Sequence, residues 1–83
     1  MILKVFVQPG CPACPSAERL AEKLKEKTKV EIYDISQRKA LKEAIKYRVM
    51  ATPTLVLTDQ KGKIKKQWVG TPEEKEILKH LGE

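Results

Sequence analysis

The chain changes its hydrophobic period within the first 27 residues, and that change constrains the fold more than any other feature. From Met1 to Gln8 the residues Ile2, Leu3, Val5, Phe6 and Val7 form a nearly continuous apolar run, the pattern of a strand buried on both faces of a sheet. From about Pro12 to Lys27, Ala13, Ala17, Leu20, Ala21 and Leu24 recur at three- and four-residue spacing, which gathers them on one face of an α-helix. Pro12 and Pro15 fall in its first turn, where a missing amide removes no hydrogen bond. Lys29 to Ile35 alternates, with Val30 and Ile32 set against charge, and reads as a second strand. Strand, helix, strand in this order calls for a parallel pair with a right-handed crossover.

The remainder completes a sheet. Gln37 to Tyr47 places Ala40, Leu41, Ala44 and Ile45 on one face of a second helix. Thr52 to Asp59 is a third strand, Asp59 to Lys63 a hairpin turn with Gly62 at a positive-φ position, and Lys63 to Val69 a fourth strand. Gly70 to Glu83 then opens a last helix, with Thr71 as N-cap, Pro72 at the first helical position and Glu74 completing a capping box. The order is βαβαββα without linker, repeat or low-complexity segment. The predicted fold is α/β: a four-stranded mixed sheet with helices on both faces and Val5 to Val7 and Leu55 to Leu57 at its centre. With 83 residues, 41% of them hydrophobic, the chain has material for one core, so residues 1–83 are expected to form a single domain.

Charge and hydropathy exclude several functions. No segment reaches the roughly 18 to 20 apolar residues that cross a bilayer, and the N-terminal run lacks a basic leader and is interrupted by Lys4, unlike a signal peptide. A cytoplasmic protein without a membrane partner is expected. The net charge of +6 favours acidic partners, yet the lysines alternate with glutamates, as in Ala17 to Lys29, the composition of a solvated face. Four aromatic residues dispersed along the sequence offer no stacking platform, so nucleic acid is not an expected partner.

Both cysteines, Cys11 and Cys14, lie in the stretch Gln8 to Pro15, "QPGCPACP", between the first strand and the first helix. A structural disulfide closing so short a loop removes little unfolded-state entropy, and reducing compartments use close pairs for catalysis or metal binding instead. Zinc sites bring a second pair or histidines. The other ligand here is His80, expected to be an exposed dipole partner in the last turn of the final helix. Haem attachment needs histidine directly after the second cysteine, where this chain has Pro15. A soft-metal carrier using the pair alone remains the rival from another class, although such domains commonly follow βαββαβ order. The favoured reading is a redox pair. Cys11, at or just before a helix N-terminus, is stabilised as thiolate by unpaired amides and the helix dipole, and this spacing commonly brings the first thiol pKa to about 3.5–7.5. Cys14, one turn inside, is expected to be buried. An exposed thiolate that attacks and a buried thiol that resolves are what disulfide exchange requires.

Beyond the cysteines, Lys46 to Gly70, "KYRVMATPTLVLTDQKGKIKKQWVG", resembles the thioredoxin stretch from helix through proline loop and hairpin to the glycine before the last helix. The chain is identified on Cys11, Cys14, Pro53 and Gly70, in this order, as a member of the thioredoxin superfamily, a short thioredoxin or glutaredoxin-like form. The resemblance implies a cis Thr52–Pro53 bond, with Pro53 packed against the active-site sulfurs. It also implies substrate contacts at Thr52 and Pro53 and, beside the cysteines, at Gly10 and Pro12. It further implies reduction of protein disulfides by a monomer with no bound cofactor beyond a redox-active Cys11–Cys14 disulfide. The chain departs from the thioredoxin pattern at Gly10, where tryptophan is usual, at Pro12-Ala13, which is closer to glutaredoxins, and at Val5, aligned where thioredoxins bury an acid. Ala51-Thr52-Pro53 and Val69-Gly70-Thr71-Pro72 also lack the glutaredoxin set that holds glutathione. The resemblance therefore favours a thioredoxin reductase as electron donor, with glutathione the alternative. Trp68 is expected to serve packing rather than the active site.

Overall fold

The computed structural model describes residues 1–82; Glu83, assigned from sequence to the last helix, lies outside them. Four strands, β1 (Ile2–Val7), β2 (Lys29–Asp34), β3 (Thr54–Thr58) and β4 (Ile64–Val69), form one sheet in the order β2-β1-β3-β4. β1 pairs parallel with β2, while β3 pairs antiparallel with both β1 and β4. The two most apolar strands are thus the central ones, as their sequence requires. The helices are α1 (Cys14–Leu24), α2 (Arg38–Lys46) and α3 (Glu74–Leu81).

The alternation of side chains along β1 divides the core in two. Leu3, Val5 and Val7 face α1 and α3, where they pack with Cys14, Ala17, Leu20, Ala21, Leu24, Leu55, Leu57 and Ile77. Phe6 and Val56 face the opposite side and pack with Ala44 and Tyr47 of the α2 region. The helices therefore cover both faces, as predicted. Three of the four aromatic residues dispersed along the sequence converge here: Phe6 stacks on Tyr33 at 5.0 Å and lies 6.4 Å from Tyr47.

The element boundaries differ in instructive ways. α1 ends at Leu24 rather than near Lys27; Lys27 and Thr28 both donate to the Leu24 carbonyl, and the Thr28 hydroxyl donates to the Met1 carbonyl at 2.6 Å, aligning β2 with β1. On α2, Ala40 and Ala44 are buried as expected, but Leu41 and Ile45, assigned to the same face, are 45% and 68% exposed. The sheet beneath α2 accepts small side chains, and Tyr47 fills the space beside them. α3 begins at Glu74, with Glu73 at the N-cap and no side-chain cap bond, so the capping box at Thr71 does not form. Pro72 pushes Thr71 away from helical geometry, and Glu73 stays extended at ψ 149°. His80 is half-buried, with its ring edge-on to Trp68 at 5.7 Å, rather than exposed. Trp68 packs against the core as expected.

The hairpin turn forms as its residues dictate. Asp59 Oδ1 accepts bonds from the Lys61 and Lys63 amides at 2.8 and 2.9 Å, which holds its carboxyl below the usual carboxylate range, the Lys63 amide contributing most. Gly62 has φ 89°, a region other residues rarely adopt, and a Cβ there would meet the Tyr47 hydroxyl at 3.3 Å. At the register shift between Leu57 and Thr58, Thr58 Oγ1 is buried with no hydrogen-bond partner among the described residues. Thr58→Val keeps the shape and removes that uncompensated hydroxyl. It should raise stability by about 1 kcal/mol, read as a higher urea midpoint at constant m-value.

Among the described residues, Lys4 is the one charged side chain held in the buried layer, and its ammonium is fully engaged. It is 8% exposed and lies opposite Glu31 in the parallel register. Nζ donates to Glu31 Oε1 and Tyr33 Oη, each at 3.1 Å, and to Glu43 Oε2 at 3.2 Å. Tyr33 donates to Glu31 Oε1 at 2.6 Å, and the ammonium stands 5.2 and 5.4 Å from the Tyr33 and Tyr47 rings. Burial disfavours the Lys4 charge, but the bonds to Tyr33, Glu31 and Glu43 together outweigh it and hold the ammonium above its usual range. The Tyr33 hydroxyl, seconded by Lys4, holds the Glu31 carboxyl below its ordinary value against the opposing effect of burial.

Candidate functional site

The register brings three distant parts of the chain to one end of the sheet. Phe6 lies opposite Thr54, and Thr54 opposite Val69. The chain leaving β1 toward Cys11, the chain entering β3 through Pro53 and the chain leaving β4 at Gly70 therefore emerge side by side. Sequence separation hides this juxtaposition; antiparallel pairing creates it.

After Val7 the chain turns through Gln8 to Ala13. Gly10 has φ 80°, and a Cβ there would meet nothing within 4 Å, so the backbone conformation, not crowding, selects glycine. The Cys11 amide donates to the Gln8 carbonyl at 3.4 Å and the Cys14 amide to the Cys11 carbonyl at 3.3 Å. The helix starts at Cys14 itself, not near Pro12. Pro15, lacking an amide, occupies its first turn, so the segment from Cys11 to Ala13 forms a separate turn leading into α1. Cys11 accordingly precedes the helix by three residues, and Cys14 is its first residue rather than one turn inside. Cys11 and Cys14 are joined as a disulfide, with Cα atoms 5.4 Å apart. The two sulfurs are not equivalent. Cys14 is 2% exposed and belongs to the core cluster of Leu3, Val5 and Val7, whereas Cys11 is half-buried at its margin. Pro12 and Ala13 are exposed between them.

The second loop is fixed independently. α2 closes with Arg48 at φ 58°; its amide donates to the Ile45 carbonyl and that of Val49 to the Ala44 carbonyl, at 3.1 and 2.8 Å, a Schellman pattern in which this position is usually glycine. The Thr52–Pro53 bond is cis, as the family resemblance implied. Pro53 is buried and Thr52 half-buried. The Thr54 hydroxyl donates to the Ala51 carbonyl at 2.6 Å, and the Gly70 amide donates to the Pro53 carbonyl at 2.8 Å, tying the proline loop to the exit of β4. Sequence reasoning missed two exposed apolar residues at this end, Met50 at 93% and Val69 at 75%. Their signal was an apolar side chain next to a loop already singled out.

Val5, aligned where the family buries an acid, is fully buried in the cluster that holds Cys14. The buried polar residues among those described are Lys4, Thr54 and Thr58, none of them a carboxylate. Nor do the described residues include any grouping of three or more His, Cys, Asp or Glu side chains able to hold a metal ion. No helix among them is long and apolar enough to cross a membrane.

Known proteins resemble this chain in sequence and fold. The family model described as "Thioredoxin domain" matches residues 1–82. A protein described as "Probable Thioredoxin" from Archaeoglobus fulgidus is 32% identical over 79 residues, which span 93% of this chain and 81% of that one. "Thioredoxin" from Methanocaldococcus jannaschii is 28% identical over 81 residues, or 95% and 89% of the two chains. Among solved structures, a mutant thioredoxin from Halobacterium salinarum superposes with a TM-score of 0.81 at 30% identity, covering 96% of this chain and 70% of that one. Fold, cysteine spacing and sequence thus converge: the chain belongs to the thioredoxin family, a thiol-disulfide oxidoreductase whose redox group is its own Cys11–Cys14 disulfide.

Proposed function

We propose that the protein reduces disulfides in other proteins, with Cys11 attacking and Cys14 resolving. The observation that carries this reading is the unequal exposure of the two joined cysteines, Cys14 at 2% and Cys11 at the surface margin. In the reduced protein the Cys11 thiolate attacks one sulfur of a substrate disulfide, forming a mixed disulfide and releasing the other substrate sulfur as thiolate. Cys14, deprotonated, then attacks the Cys11 sulfur, which frees the second substrate thiol and closes the Cys11–Cys14 disulfide. Two electrons pass to the substrate, and two electrons with two protons must return from a donor. Helix α1 opens at Cys14, three residues after Cys11, and the positive end of its dipole favours thiolate at this end.

The substrate segment lies extended against Thr52 and Pro53, with Gly10 and Pro12 flanking it and exposed Met50 and Val69 offering apolar contact. A thioredoxin reductase is the proposed electron donor, with glutathione as the alternative, and the protein works as a cytoplasmic monomer. The departures at Ala51-Thr52-Pro53 and Val69-Gly70-Thr71-Pro72 from the glutathione-holding pattern support the first donor. Insulin-disulfide reduction with dithiothreitol as donor tests the activity: Cys11→Ser should lower the rate by about three orders of magnitude or more, as removal of a nucleophile does. A Cys11→Ser rate equal to that of the unmodified protein removes Cys11 from the mechanism.

A further inference from the structure

The three helices differ in a way that the fold does not require. α1 balances Glu18 and Glu22 against Arg19 and Lys23, and α3 balances Glu74 and Glu76 against Lys75 and Lys79. α2 carries Arg38, Lys39, Lys42 and Lys46, with Arg48 just beyond it, against Glu43 alone. The Glu43 carboxylate is turned inward to Lys4, at 3.2 Å. The expectation that acidic residues offset the lysines therefore holds on α1 and α3 and fails on α2. All five basic side chains are exposed, and none has an ion pair within 4.0 Å among the described residues. Among them lie Leu41 and Ile45, 45% and 68% exposed and one helical turn apart, hence side by side.

We propose that the outer face of α2 is a docking surface for acidic protein segments bearing apolar side chains that cover Leu41 and Ile45. A face of one sign steers an acidic partner from a distance, and the adjacent aliphatic pair supplies short-range burial. The same face suits other polyanions less well. A bilayer would receive only these two apolar side chains, because Ala40 and Ala44 are buried against the sheet. Bases would find no ring to stack on, because Phe6, Tyr33 and Tyr47 pack with one another inside. α2 leads through Arg48 to Ala51 into Pro53, so a segment held here lies on the approach to the proline loop. The surface does not depend on the chemistry assigned to Cys11 and Cys14.

The test is fluorescence anisotropy with a labelled peptide of about 20 residues, built from glutamate and leucine at helical spacing, beside its Glu→Gln counterpart, a DNA duplex of about 20 base pairs and phosphatidylglycerol vesicles. The acidic peptide is expected to bind about tenfold or more tightly than the Glu→Gln peptide, the duplex or the vesicles, and to weaken as salt rises from about 50 to 200 mM. Lys42→Glu/Lys46→Glu, and separately Arg38→Glu/Lys39→Glu, should each weaken it by about tenfold, and Leu41→Ser/Ile45→Ser by about threefold. Cys11→Ser/Cys14→Ser should leave binding unchanged, which separates this result from any failure of the redox reading. Equal binding of the Glu→Gln peptide, retained affinity in both folded charge-reversal variants, or tighter binding of duplex or vesicles overturns the proposal.

Discussion

Replacing Lys4 with methionine is expected to lower stability by about 2 kcal/mol at neutral pH, despite the apolar character of the new side chain. Methionine would fit a strand whose neighbours Leu3, Val5 and Phe6 are fully buried. The cost arises from what is left behind: Glu31 and Glu43, both bonded to the same ammonium, would lose the cation they share, and exposed Lys29, 3.6 Å from the other Glu31 oxygen, replaces it only in part. Breaking a fully buried pair by removing one partner costs about 3–5 kcal/mol. Here both carboxylate side chains are 29% exposed and can turn partly toward water, so a smaller value follows. For a domain of this size the loss corresponds to a fall in Tm of about 10 °C.

The same network has a pH signature. The Glu31 carboxyl is depressed in the folded state, so its contribution is present above the unfolded carboxylate pKa of about 4.3 and is lost as pH falls through the folded value. The Lys4 ammonium is raised, so its contribution is complete below the unfolded pKa of about 10.4 and is lost as pH rises through the folded value. The difference between the unmodified protein and Lys4→Met should therefore be greatest between about pH 5 and 10 and shrink toward pH 3. Urea unfolding at pH 7 and pH 3 reads it directly. An equal difference at both pH values means that Lys4 acts through its aliphatic stem alone.

That network also marks the limit of what the sequence made legible. Period and turn chemistry revealed all seven elements and the central position of β1 and β3, because apolar runs and alternation report burial directly. Within the first run Lys4 read as an interruption, since its partners lie on β2 and α2 and only the register places them around it. A lysine inside a run buried on both faces must be paired, and that rule would have flagged it. Leu41 and Ile45 fitted a helical stripe, but a stripe does not say how wide a face the sheet can cover. The start of α3 was lost to Pro72, which suits both a first helical turn and the extended approach it occupies here. Around the redox pair, Cys11 and Cys14 were legible from spacing and position, whereas Gly10 entered through family resemblance. The cis bond before Pro53 came only from family resemblance, and the Gly70–Pro53 bond depended on strand pairing between segments far apart in sequence.

The assignment of separate roles to the two cysteines has the larger functional consequence. Cys14 opens α1 and is 2% exposed within an apolar cluster, while Cys11 sits at the margin of that cluster before exposed Pro12 and Ala13. An incoming disulfide of protein size can reach Cys11 without disturbing the core; to reach Cys14 it must displace the loop. Removing Cys14 should then leave the first step intact and block the second, so that turnover stops at the mixed disulfide. Oxidised insulin incubated with reduced Cys14→Ser protein and analysed by non-reducing mass spectrometry tests this most directly. A covalent adduct through Cys11, released by dithiothreitol and not formed by Cys11→Ser, is the predicted result. An equivalent adduct on Cys14 in the Cys11→Ser protein, or no adduct in either variant, contradicts the assigned roles.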